Sequence, residues 1–101
     1  MPRGYWIAHV DVADAEAYKA YVAANAAPFA KYGARFLVRA GRCEVPEGAS
    51  RARQVVIEFK DYETALACYR SPEYQAAKAL RETASLCDLV IAEGYDGPQP
   101  G

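Results

Sequence analysis

Histidine is almost absent from this chain of 101 residues, His9 being the only one. That removes the commonest ligand of zinc and iron centres, and no acidic cluster with calcium-loop spacing replaces it. Glycine-rich phosphate loops, dinucleotide fingerprints and catalytic-triad motifs are missing too. Neither a metal nor a cofactor is expected. Cysteine is scarce: Cys43, Cys68 and Cys87 form no Cys-x-x-Cys pair, and their odd number argues against a closed disulfide framework. Reduced, mostly buried thiols are expected.

Charge of one sign is also lacking. Twelve Lys and Arg stand against 13 Asp and Glu, a formal charge of −1 with no long run of either sign, so there is no electrostatic footprint for nucleic acid. No apolar stretch is long enough to span a bilayer, and the segment Met1 to Val12 is broken by His9 and Asp11. No membrane partner is expected, and the cytoplasm is the default location.

What is present suits a folded chain. A 52% hydrophobic share with 25% charged residues is globular rather than disordered, and the length allows one core without covalent staples. One domain is expected over residues 1–95, followed by a loose tail over 96–101 that holds two Pro and two Gly.

Gly4 to Val12 reads as a strand rich in β-branched and aromatic residues. Asp14 then caps a helix in which Tyr18, Val22, Asn25, Phe29 and Tyr32 recur at helical spacing, closed by Gly33. Pro28 predicts a kink or break near Asn25 to Pro28. Arg35 to Ala40 and Gln54 to Lys60 read as strands around a turn-rich connection. Asp61 caps a helix over Tyr62 to Arg70, and Ser71-Pro72-Glu73 starts another with Tyr74, Ala77, Leu80, Arg81 and Ala84 on one side. Asp88 to Tyr95 supplies the last strand.

This order predicts a ferredoxin-like α+β fold: a four-stranded antiparallel sheet in the spatial order four, one, three, two, with the helices on one face. Strict alternation assigns the two faces. Under the helices it places Trp6, Ala8 and Val10; Phe36, Val38 and Ala40; Val55, Ile57 and Phe59; Val90 and Ala92. The opposite face receives Tyr5, Ile7 and His9; Leu37 and Arg39; Val56 and Glu58; Leu89, Ile91 and Glu93. This second face is too apolar for water, so a homodimer packed sheet on sheet is expected, with His9, Leu37, Arg39, Glu58, Ile91 and Glu93 at the contact.

The segments Gly4 to Ile7, Tyr32 to Gly41, Val55 to Phe59 and Ser71 to Gln75 together resemble the bacterial family called domain of unknown function 1330, over nearly the whole chain. The resemblance implies membership of the dimeric α+β barrels, a superfamily that includes antibiotic-biosynthesis monooxygenase-like proteins. It implies no established activity and no catalytic residues. The family often has Gly where this chain has Ala34 and Ala40.

Candidate chemistry is sparse. His9 is the candidate general base, or else a strand histidine hydrogen-bonded at the dimer contact. Arg39 suits a bidentate grip on a small organic acid, or an ion pair with Glu58 or Glu93. Tyr18 is a candidate to line a cleft for an aromatic ligand, or simply core. The superfamily suggests cofactor-independent oxygenation, for which Asn25 and Trp6 are of suitable type, although Asn25 also suits a kink before Pro28. Two classes of function stand open: a small-molecule enzyme of monooxygenase or isomerase type, and a non-catalytic homodimer that binds a small ligand or serves as an interaction module.

Overall fold

The structure, a computed structural model, describes residues 2–101; Met1 lies outside the described residues. Strands β1 (Gly4–Val12), β2 (Arg35–Arg39), β3 (Arg53–Phe59) and β4 (Ser85–Glu93) form one antiparallel sheet in the order β2-β3-β1-β4. This is the expected ferredoxin-like arrangement. Helices α1 (Ala15–Lys31), α2 (Tyr62–Arg70) and α3 (Pro72–Glu82) cover one face, with α1 packed on α3.

The caps are those the residue types dictate. Asp14, Asp61 and Ser71 each accept a backbone N–H three residues on, satisfying donors that the first helical turn leaves unpaired. Gly33, at φ 68°, supplies the left-handed turn that ends α1. The aromatic core is centred on Trp6, whose ring lies 4.8 Å from Tyr74, 5.3 Å from Phe29 and 5.4 Å from Phe59 between centroids. Its indole N–H donates to the Ala65 carbonyl at 2.9 Å. Ile57 and Phe59 lie beneath the helices as the alternation requires.

Four expectations are corrected. First, of the kink or break expected near Asn25 to Pro28, the break does not occur: α1 runs unbroken through Pro28. The proline deprives only the Ala24 carbonyl of its donor, while its ring is fully buried in the core and its own carbonyl still accepts from Tyr32 at 3.1 Å. Second, β2 has a bulge: Phe36 pairs with Ile57, but Val38 pairs with Val56 and Arg39 with Val55. One extra residue reverses the alternation beyond it, so Arg39 turns to the helix side and Val38 away from it. Ala40 is not a strand residue; it sits at φ 57°, in the left-handed region.

Third, β4 lies in the opposite phase. Trp6 pairs with Ile91, Ala8 with Leu89 and Val10 with Cys87, which puts Ile91, Leu89 and Cys87 under the helices. Val90 and Leu86 therefore project from the open face, 60% and 62% exposed. The run Leu89 to Ala92 is apolar in both phases, so alternation carried no information there, and pairing with β1 decides. Glu93, opposite Gly4, shares the phase of Ile91. Fourth, Leu80 is exposed, although Tyr74, Ala77, Arg81 and Ala84 are buried.

Candidate functional site

A narrow, partly open cleft with a cavity volume of about 50 Å³ lies between α1 and the sheet. Its origin is local. Ala8 and Val55 are small side chains in the middle of the sheet, opposite one another across β1 and β3, and α1 faces them with Val22 and Asn25. Nothing large fills the gap.

Trp6, Tyr18, Asn25 and Arg39, the four residues that sequence singled out for a ligand, all line this cleft. Arg39 reaches it only because of the bulge, and its guanidinium rests 4.0 Å from the centre of the Phe36 ring. Asn25 is 5% exposed and makes no side-chain hydrogen bond among the described residues, which leaves its amide open to the cleft. Trp6 offers the cleft no free donor, its N–H being spent on Ala65.

Two further arginines escaped sequence reasoning. Arg53 opens β3, where the strand was expected to start one residue later; it pairs with Val10, two residues from Val55 on the same face. Since Arg39 pairs with Val55, Arg39 and Arg53 are diagonal neighbours, about 7–8 Å apart. Arg81, on α3, is 7% exposed and stands over the Tyr21 ring at 5.5 Å. An arginine on the apolar side of that helix was the one available signal. The Nε atoms of both Arg53 and Arg81 are buried without a hydrogen-bond partner.

None of the three arginines joins an ion pair, and no Asp or Glu lines the cleft, among the described residues. The other titratable groups do not offset the charge. Burial pushes the phenols of Tyr18 and Tyr74 up and the Cys87 thiol up, so these groups remain neutral. Tyr21 and Tyr74 share a hydroxyl–hydroxyl bond of 2.8 Å in the interior.

His9 is elsewhere. It projects from the open face, where Nδ1 accepts the Arg51 backbone N–H at 2.7 Å and Nε2 faces the Asp88 carboxylate at 3.2 Å. Arg51 bridges Asp88 at 3.0 Å and Asp11 at 3.1 Å, so the histidine belongs to a network that clamps the β2–β3 connection to the sheet. Of the other residues expected at the dimer contact, Glu58 faces outward and is approached within its own chain by Arg3 and Arg35, each at 4.0 Å. Leu37 is exposed at the bulge. Arg39 and Ile91 lie on the helix side and Glu93 shares their phase, so the face assignment that brought these three to the contact is wrong.

Residues 3–95 match the family described as Domain of unknown function (DUF1330). No curated protein matches the chain. Among solved structures, RPA0582 of Rhodopseudomonas palustris, a protein of unknown function, superposes with a TM-score of 0.74 at 16% identity, over 95% of this chain and 85% of that one. SnoaB of Streptomyces nogalater, a cofactor-independent oxygenase, gives 0.64 at 13% identity over the whole of both chains. An ethyl tert-butyl ether d family protein of Bacillus halodurans gives 0.57 at 18%, over 94% of this chain and all of that one. At such identities these likenesses define the fold.

Proposed function

Because the chain belongs to the domain of unknown function 1330 family, whose description names no reaction, the reading must come from the cleft, and we propose that it binds a small, largely apolar organic acid. The observation that carries this is the set of unpaired guanidiniums of Arg39, Arg53 and Arg81 around an aromatic cleft with no carboxylate. Stripping a cation of water costs several kcal/mol unless an anion or hydrogen bonds compensate. Arg81 is buried and Arg53 partly so; a ligand carboxylate is the natural counter-charge, gripped by planar donors that match it.

Trp6 is the only tryptophan and lines the cleft, so its emission reports occupancy. Benzoate is expected to change it saturably, benzyl alcohol at least about tenfold more weakly, and Arg53→Met to weaken benzoate by a similar factor, the worth of one charge-assisted contact. Equal binding of acid and alcohol would contradict the reading.

The same cleft suits a catalytic use. A cationic, water-poor pocket favours a substrate that passes through an enolate or phenolate, the kind of anion a cofactor-independent oxygenation requires, and SnoaB of similar fold is described as such an oxygenase. No carboxylate or histidine is at hand as base among the described lining residues. A substrate acidic enough to ionise without one is therefore implied. Oxygen uptake with an enolisable aryl ketone tests this use; uptake unaffected by Arg81→Met would remove it.

The open face carries Ile7, Val38, Leu86 and Val90, each at least 40% exposed. A second copy of the chain is its proposed cover, with a cytoplasmic location to match. No helix is long and apolar enough to cross a membrane among the described residues.

A further inference from the structure

The polar groups of the cleft fall into two sets that differ in burial. At the mouth stand Arg39, exposed, and Arg53, partly exposed, diagonal neighbours on β2 and β3. In the interior stand Asn25 and Arg81, 5% and 7% exposed, beside the Tyr21–Tyr74 hydroxyl pair. Between the two sets lie Val10 on the sheet, which pairs with Arg53, and the Tyr18 and Tyr21 rings of α1, with Arg53 over Tyr18 at 5.3 Å and Arg81 over Tyr21 at 5.5 Å; the rest of the lining is mostly apolar.

One carboxylate cannot satisfy both sets. Of the roughly four acceptor sites on its two oxygens, a bidentate guanidinium and a second donor at the mouth take three, and the one left is too few for the Arg81 Nε–H and the Asn25 amide together. The interior would then keep an Asn25 amide with no side-chain hydrogen bond and an Arg81 Nε with no acceptor, both nine-tenths buried. Buried donors of this kind call for an acceptor. Among the described residues the Tyr74 hydroxyl engages the Arg81 guanidinium but leaves its Nε without an acceptor, no side chain bonds Asn25, and the Cys87 thiol is a poor acceptor.

We infer that the cleft reads a ligand with oxygen at both ends: a carboxylate on Arg39 and Arg53 at the mouth, and a hydroxyl or carbonyl oxygen on Asn25 and Arg81 inside. The substrate class is a single-ring aromatic acid bearing a hydroxyl or oxo group remote from the carboxylate. Asn25 supplies both a donor and an acceptor and therefore takes either a carbonyl or a hydroxyl, while Arg81 favours the more anionic form of that oxygen. Asn25 and Arg81 are the specificity-determining pair, and Arg39 and Arg53 give affinity common to all acids.

This inference rests on the organic-acid reading of the cleft, and the experiment separates the two. Benzoate, 3-hydroxybenzoate and 4-hydroxybenzoate are titrated by calorimetry into the wild-type chain, Asn25→Ala and Arg81→Lys, with circular dichroism melts to establish that each variant is folded. The better hydroxybenzoate is expected to bind the wild type about tenfold more tightly than benzoate, the worth of one well-made hydrogen bond. Asn25→Ala is expected to erase that preference, bringing the ratio of hydroxybenzoate to benzoate affinity to within about twofold of one. Equal affinity of benzoate and both hydroxybenzoates for the wild type would overturn the inference but leave the organic-acid reading standing. So would a preference that survives unchanged in both variants. Failure of all three acids to bind the wild type would overturn both.

Discussion

At the scale of single residues, the chemistry of this protein is set by which groups are denied a partner. Arg53 and Arg81 keep buried Nε atoms unpaired, whereas the thiol of Cys68 is buried in the core and pushed up to about 12 by desolvation. Cys68 is therefore expected to resist a thiol reagent at pH 8 in the native state, while the exposed Cys43 reacts. Mass mapping after brief alkylation checks this; equal labelling of the two would contradict the core described above. Ala40 tests the backbone. It holds a left-handed φ of 57° that costs a residue with a Cβ about 1–2 kcal/mol, so Ala40→Gly is expected to raise stability by a fraction of that, measured by urea unfolding. The resemblance to a family that often has Gly here was the signal in the sequence, although no pattern of hydrophobicity could have supplied it.

At the scale of elements, what was legible followed from local chemistry, and what was not followed from pairing. Caps, helix starts and the strand order come from residue types near in sequence: Asp14, Asp61 and Ser71 cap as they must. The phase of β4 and the bulge in β2 depend on a neighbouring strand, and the apolar run at Leu89 to Ala92 looks alike in either phase. That is why strict alternation puts Arg39 on the open face, although the bulge turns it to the helix side, where it lines the cleft. The bulge gives a test: deleting Leu37 removes the extra residue but keeps Val38 opposite Val56 and Arg39 opposite Val55. Arg39 is therefore expected to stay on the helix side, and Arg39→Met to weaken benzoate in the deletion background as it does in the full chain. Loss of that effect would contradict the register.

Helix capping also sets an acid limit. The Asp61 carboxyl accepts the Thr64 backbone N–H at 2.7 Å, and bonds to Thr64 hold its pKa below the ordinary value of 3.8; Asp11 is likewise lowered by the Ala52 backbone N–H and by Arg51. A depressed folded pKa means that this stability is fully present above the unfolded value and is lost as pH falls through the folded one. The melting temperature is expected to fall as pH drops below about 4, and less steeply in Asp61→Asn, whose amide oxygen accepts the same bond without titrating. An identical slope in both proteins would contradict the assignment.

At the scale of the whole molecule, the two faces of the sheet carry different roles. The helix side encloses the core and the cleft; the open side carries exposed Val90 and Leu86 with the His9 network at one end. Val90→Lys is expected to leave the cleft intact and to shift the protein toward the 11.0 kDa of a single chain in light scattering, against twice that mass for the wild type. A wild type of monomer mass at high micromolar concentration would refute the sheet-on-sheet assembly. It would not touch the cleft, which lies on the other side.

The central claim is that the space between α1 and the sheet is an anion site, and a crystal of the protein soaked with 4-bromobenzoate tests it most directly, since bromine marks the ligand's position by its anomalous signal. The account predicts a bromine peak inside the cleft near Trp6 and Phe29, with the carboxylate between the guanidiniums of Arg39 and Arg53. A cleft that stays empty at saturating ligand, or a carboxylate bound away from those arginines, would contradict it.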